Sequence, residues 1–333
     1  MAERPKLVLA MRPDILDLVL PAPLRARLDA LADVHPDLVT DLADPGAARA
    51  LADARLLLTG WGCPVLDAEA LDRMPRLAAA VHAAGSVRHH ATPAVWARGI
   101  AVSSAADANA APVVEYTMAT IWLASHRALG TAAAYVTGRE PVFHLRQGAD
   151  GATVGVIGAS RIGRGVIGRL VGAAAGFQVL LADPYVGAAE ADALGATLVG
   201  LDDLCRRSDI VTVHAPDLPE TRHLLDADRL ALLRDGAAVI NSARGRLVDT
   251  DALARECGTG RIDAYLDVTE PEPLPAGHPL LLLRNVLVTP HIAGCQGSEV
   301  QRLGGYAVDE VERWITGQPL RGRVQAADLA RIA

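Results

Sequence analysis

The stretch Thr153-Val154-Gly155-Val156-Ile157-Gly158-Ala159-Ser160-Arg161-Ile162-Gly163 leaves a chain few ways to fold. Val154, Val156 and Ile157 make a short apolar run of the kind that becomes a buried strand. Gly158 lets the backbone turn sharply, and Gly163 lets the next helix pack close to the sheet. The start of that helix offers unpaired N–H groups and a positive dipole end, which suit a pyrophosphate. Ser160 stands where a middle glycine is usual; it is small and carries a hydroxyl donor. Gly158, Ser160, Arg161, Ile162 and Gly163 are therefore the candidate phosphate-binding residues.

A second apolar run, Val179-Leu180-Leu181-Ala182, ends in Asp183, twenty residues after Gly163. A carboxylate there accepts hydrogen bonds from ribose hydroxyls and repels a 2′-phosphate, so NAD is expected rather than NADP.

The 333 residues suffice for two domains, and 51% of them are hydrophobic. A net charge of −7 gives no electrostatic case for nucleic acid or a membrane surface. Lys6 is the only lysine, so Schiff-base chemistry has almost no candidate. Cys63, Cys205, Cys257 and Cys295 form no CxxC pair, which argues against a metal site and a disulfide framework alike. A strand beginning at Lys6, with no leader pattern and no membrane-length apolar run, points to a cytoplasmic protein.

Strands at 6–11, 54–59 and 77–82 alternate with helices at about 22–32 and from 67, which predicts a parallel α/β sheet. The loop after 82 reads Ala84-Gly85-Ser86-Val87-Arg88-His89-His90 and is a candidate for holding substrate. A long apolar helix over about 110–128 bridges to a second unit, and residues 129–150 read as an exposed excursion. Further strands are expected at 209–214, 237–241, 262–267 and 286–289, and a helix at about 299–315. The expected domains are 1–103 plus 296–333, binding substrate, and 104–295, binding the dinucleotide.

Three segments follow predicted strands of the second unit: Asn241-Ser242-Ala243-Arg244-Gly245, Asp267-Val268-Thr269-Glu270-Pro271-Glu272-Pro273 and Thr289-Pro290-His291-Ile292-Ala293-Gly294. In a parallel sheet they leave at the edge that carries the glycine turn. Arginine, carboxylate and histidine are what hydride exchange with a 2-keto acid requires. A guanidinium binds the carboxylate and polarises the carbonyl. An imidazole exchanges the proton, and a carboxylate behind it fixes the tautomer.

With these residues the chain resembles the D-isomer-specific 2-hydroxyacid dehydrogenase family over nearly its whole length. The resemblance rests on the glycine turn, Asp183, His214-Ala215-Pro216 with Thr221, and the three segments above. It implies two Rossmann-like, doubly wound parallel-sheet domains with the active site in the cleft between them. It implies an NAD-dependent enzyme on CH–OH donors, interconverting a small anionic 2-keto acid and its D-2-hydroxy acid, and a homodimer. By resemblance Arg244 binds the substrate, His291 is the acid/base and Glu272 its partner, with Glu270 the competing carboxylate. Asp267 would hold the nicotinamide carboxamide. Arg161 and Ile162 would meet the pyrophosphate, and Ala215, Pro216, Thr221, Ser242, Ala243, Arg244 and His291 would lie along the cofactor.

The substrate loop departs from the family pattern, which has a second glycine and an Asp-Asn pair. Here Gly85, Ser86, Val87 and Arg88 stand in its place, and Arg88 adds a positive charge suited to a second anionic group. His89 and His90 are adjacent and lack metal-ligand spacing, so they read as structural or rim residues. Trp61 is open between pocket wall and packing. Two other functions fit the scaffold: a phosphite or phosphonate-type dehydrogenase, and a non-enzymatic NAD-sensing protein.

Overall fold

The computed structural model describes residues 4–139, 142 and 147–330. The chain divides into two compact units, Met1–Ala110 with Cys295–Ala333, and Ala111–Gly294. The division at Ala110 falls inside the helix Ala106–Ser125, which runs without a break through it.

In the first unit the strands are β1 (Lys6–Ala10), β2 (Asp33–Val34), β3 (Leu56–Thr59), β4 (Ala79–His82) and β5 (Ala101–Ser104). They pair in parallel in the order β2-β1-β3-β4-β5. Successive side chains of β1 enter opposite cores: Val8 and Ala10 one, Leu7 and Leu9 the other. That period of two, buried on both faces, is why these strands read as continuous apolar runs. The helix Val300–Ile315 covers one face with Val300, Ala307, Val308 and Val311. It carries one buried carboxylate. Glu310 Oε2 accepts from Ser103 Oγ (2.5 Å) and Gly322 N (3.1 Å), and Oε1 from Arg321 N (3.1 Å).

The second unit adds β6 (Thr153–Ile157), β7 (Gln178–Ala182), β8 (Thr197–Leu198), β9 (Ile210–Val213), β10 (Ala238–Asn241), β11 (Asp263–Leu266) and β12 (Val286–Val288). All pair in parallel, in the order β8-β7-β6-β9-β10-β11-β12. The order reverses between β6 and β9, and ligands of such sheets bind outside the strand ends at that reversal.

Two features depart from the expectations. The first sheet is not wholly parallel, since β13 (Arg323–Val324) pairs antiparallel with β5. The tail reaches that edge directly after a helix and needs no crossover. Residues 129–150 are not wholly an excursion, because Ala128–Val136 is a helix. Residues 140, 141 and 143–146 of that stretch lie outside the described residues. None of the helices among the described residues is long and apolar enough to cross a membrane.

Candidate active site

Gly158 has φ +93°, and a Cβ there would stand 2.9 Å from the backbone of His214 and Ala215. Any other residue would be strained in its dihedrals and would collide with the chain leaving β9. A Cβ at Gly163 would strike the carbonyl of Gly158, so the helix Arg161–Val171 abuts its own turn. Ser160 is the N-cap: its Oγ accepts from Gly163 N at 3.3 Å. The hydroxyl proton stays available to a phosphate while the oxygen caps the helix. Asp183 follows β7. Its Oδ2 accepts from Ala159 N and its Oδ1 from Tyr185 N, both at 2.7 Å. Each oxygen keeps acceptor capacity for ribose hydroxyls. The glycine cradle, the capped helix start and the anchored carboxylate together fit a dinucleotide without a 2′-phosphate.

Past β9, Ala215 is buried against the glycine turn. Thr221 closes the next loop: its Oγ1 donates to Pro216 O (2.6 Å) and accepts from Leu218 N (2.8 Å).

The three candidate segments leave neighbouring parallel strands, β10, β11 and β12, whose last residues are in register: Asn241 with Leu266, Leu266 with Val288. Arg244, Glu272 and His291 therefore emerge side by side at one sheet edge. Asn241 holds the first turn, with Oδ1 accepting from Ala243 N (3.0 Å) and Nδ2 donating to Arg244 O (2.8 Å). Ser242 Oγ lies 2.9 Å from Thr117 Oγ1, and both residues are buried. Arg244 has extended backbone, and its Nη1 donates to Ala243 O (2.6 Å). Gly245 lets this loop press on the next, since a Cβ there would strike the carbonyl of Thr269.

His291 Nδ1 is 2.8 Å from Glu272 Oε1. Glu270 instead lies 3.6 Å from Arg246 Nε, so the two carboxylates left open by spacing have different partners. His291 also has φ +56°, a left-handed conformation that costs a non-glycine residue on the order of 1–3 kcal/mol. Asp267 holds it there. Its Oδ1 accepts from Thr289 Oγ1 (2.7 Å) and Ile292 N (2.8 Å), and Oδ2 from Ala293 N (2.9 Å), while its carbonyl accepts from His291 N (2.9 Å). Asp267 is buried, and in this structure its carboxylate organises the 289–293 turn. Sequence reading placed Asn241 in its segment without giving it a role, and did not reach Tyr116 or Thr117. Tyr116 and Thr117 sit in an apolar helix whose pattern signals only burial.

The candidate substrate loop belongs to the first unit. Val87 is buried and anchors it, its carbonyl accepting from His90 N and Ala91 N. Ser86 Oγ accepts from Arg88 N at 3.4 Å, and a Cβ at Gly85 would stand 3.3 Å from Asn109 Nδ2. His82 and His90, at the two ends of this loop, pack with tilted rings whose centroids are 4.3 Å apart, and His82 Nδ1 is 2.8 Å from Thr59 Oγ1. Burial, with the charge of His89, pushes the His90 imidazole down to about 4. Burial, with the charge of His90, also holds that of His82 well below its usual value, so both are neutral packing residues. Trp61 is partly buried and packs against the core, while His89 is exposed. Among the described residues no group of three or more His, Cys, Asp or Glu is placed to hold a metal ion.

Residues 119–293 match the family described as D-isomer specific 2-hydroxyacid dehydrogenase, NAD binding domain. The chain is 33% identical over 287 residues to a D-3-phosphoglycerate dehydrogenase of Methanocaldococcus jannaschii, covering 85% of this chain and 54% of that one. It spans about half the length of the first curated relatives it matches. It is 32% identical over 262 residues to a glyoxylate reductase of Thermofilum pendens, covering 76% of each. Its fold is similar to that of D-lactate dehydrogenase from Aquifex aeolicus, complexed with NAD and lactic acid. The TM-score is 0.70 and the identity 26%, covering 93% of this chain and 95% of that one. The chain therefore belongs to the D-isomer specific 2-hydroxyacid dehydrogenase family, and residues 119–293 are its NAD-binding domain.

Proposed function

We propose that the protein is an NAD-dependent dehydrogenase interconverting a small 2-keto acid and its D-2-hydroxy acid. The observation that carries this is the 2.8 Å contact of His291 Nδ1 with Glu272, in the loops that follow β12 and β11, beside the β10 loop that carries Arg244. NAD, when bound, supplies the site with a hydride donor or acceptor. Arg244 binds the substrate carboxylate through paired N–H donors. Glu272 accepts the Nδ1 proton of His291, which leaves Nε2 for the substrate oxygen and stabilises the imidazolium. In reduction, His291 gives its Nε2 proton to the C2 oxygen, and in oxidation it takes that proton back. Backbone N–H groups of Ser86, Val87 and Arg88 are proposed to bind the substrate's carboxylate end, with Arg88 favouring a second anionic group.

The test follows NADH absorbance with glyoxylate, hydroxypyruvate and related 2-oxo acids. Turnover is expected with at least one, and His291→Ala should abolish it while NADH still binds. Tight NADH binding with no turnover across the panel would overturn the assignment. A homodimer is part of the proposal, supported by exposed Trp122, Leu123, Tyr135 and Val136 on two consecutive helices. A cytosolic location is also proposed, supported by four free thiols.

A further inference from the structure

The clamp on His291 does not end at Asp267. Tyr116, in the helix Ala106–Ser125, places its Oη 2.6 Å from Thr289 Oγ1. Thr289 gives its single hydroxyl proton to Asp267 Oδ1 at 2.7 Å. The proton between Tyr116 and Thr289 must then come from Tyr116. The bonds run one way: Tyr116 O–H to Thr289 O–H to the Asp267 carboxylate. That carboxylate also receives Ile292 N–H and Ala293 N–H, which directly follow a histidine in a disfavoured left-handed conformation. Burial and the charge of Asp267 push the Tyr116 phenol up, which keeps it the donor.

We infer that Tyr116 is a positioning residue for His291. It acts through Thr289 and Asp267 to hold the 289–293 turn in the conformation that sets Nδ1 against Glu272. Aligned hydrogen bonds polarise one another, so each strengthens the next. Without the phenol, Thr289 Oγ1 loses its donor, the hold on the carboxylate loosens, and the His291–Glu272 contact is made less often. The inference rests on His291 being the acid/base of the proposed reaction.

The experiment uses Tyr116→Phe, Thr289→Val, Thr289→Ser and the Phe/Val double variant in the full chain. Tyr116→Phe should lower kcat about 2- to 12-fold, the rate equivalent of one hydrogen bond. The NADH dissociation constant and the melting temperature should barely move. Thr289→Ser should keep most of the activity that Thr289→Val loses, and the double variant should be no slower than Thr289→Val, since the two hydroxyls act in series. An unchanged kcat in Tyr116→Phe, additive losses in the double variant, or NADH affinity falling in step with kcat would each overturn the inference. The last would make the chain of bonds a cofactor contact. Proton–nitrogen spectra of histidine-labelled protein give a reading without turnover. The Nδ1–H signal of His291 bonded to Glu272, identified by its loss in His291→Ala, should weaken in Tyr116→Phe. If it weakens while no 2-oxo acid is reduced by the parent protein, the positioning stands and the proposed reaction falls. If turnover is normal and the signal is unchanged, the positioning falls alone.

Discussion

Single residues in this protein are most telling where their environment contradicts their type. His90 is buried, and its imidazole titrates at about 4 rather than 6.5. His214, fully enclosed and 2.9 Å from Thr212 Oγ1 through Nε2, is pushed by burial to about 3. For both, the unfolded chain takes up a proton at a higher pH than the folded one. Stability is therefore intact above about 6.5 and declines as pH falls toward 4, then toward 3. The His90 share is at most about 3 kcal/mol, from 1.36 kcal/mol per pH unit. Denaturant melts at pH 7 and pH 4.5 should show a smaller acid loss in His90→Gln than in the parent. Equal losses would mean that His90 protonates freely in the folded state. Arg244 and His291 stood out in the sequence as a set rather than singly, because both follow strands of one predicted sheet. The choice of Glu272 over Glu270 as the neighbour of His291 was open to spacing, and the 2.8 Å contact with His291 distinguishes the two in space.

At the level of elements, the strand, glycine turn and helix over 153–171 form one inseparable device. The strand is buried, the turn needs φ +93° at Gly158, and the helix begins with Ser160 as its cap. Gly158→Ala meets two obstacles: a left-handed backbone that alone costs more than about 1 kcal/mol, and a Cβ 2.9 Å from the neighbouring main chain. The variant should melt earlier and bind NADH weakly by fluorescence titration. Wild-type melting with wild-type binding would show that the turn tolerates a side chain. This device was readable in advance because its parts are consecutive and each obeys a local steric rule. The short strands β2, β5, β8 and β13 were not. β2, β8 and β13 have two residues each, too few for any periodicity, and all four become strands only because a neighbour offers an unpaired edge.

For the whole molecule, the second unit is one unbroken stretch with cores on both faces of its own sheet. Expressed alone, residues 111–294 should melt cooperatively, and the melt should move up when NADH is added. A fragment that stays unfolded would show that this unit depends on the rest of the chain. Unit one is assembled from two distant segments, and Glu310 of the tail is buried against Ser103 and Gly322. Local sterics and two periodicities settled the alternation of strands and helices, the dinucleotide turn and the strand-end positions of Arg244, Glu272 and His291, because those features are written in neighbouring residues. Pairings across long separations were decided only on folding. Tyr116 meets Thr289 across 173 positions, and Asp267 meets Ala293 across 26. No local pattern encodes such meetings, since they exist only once the sheet has set its strand order.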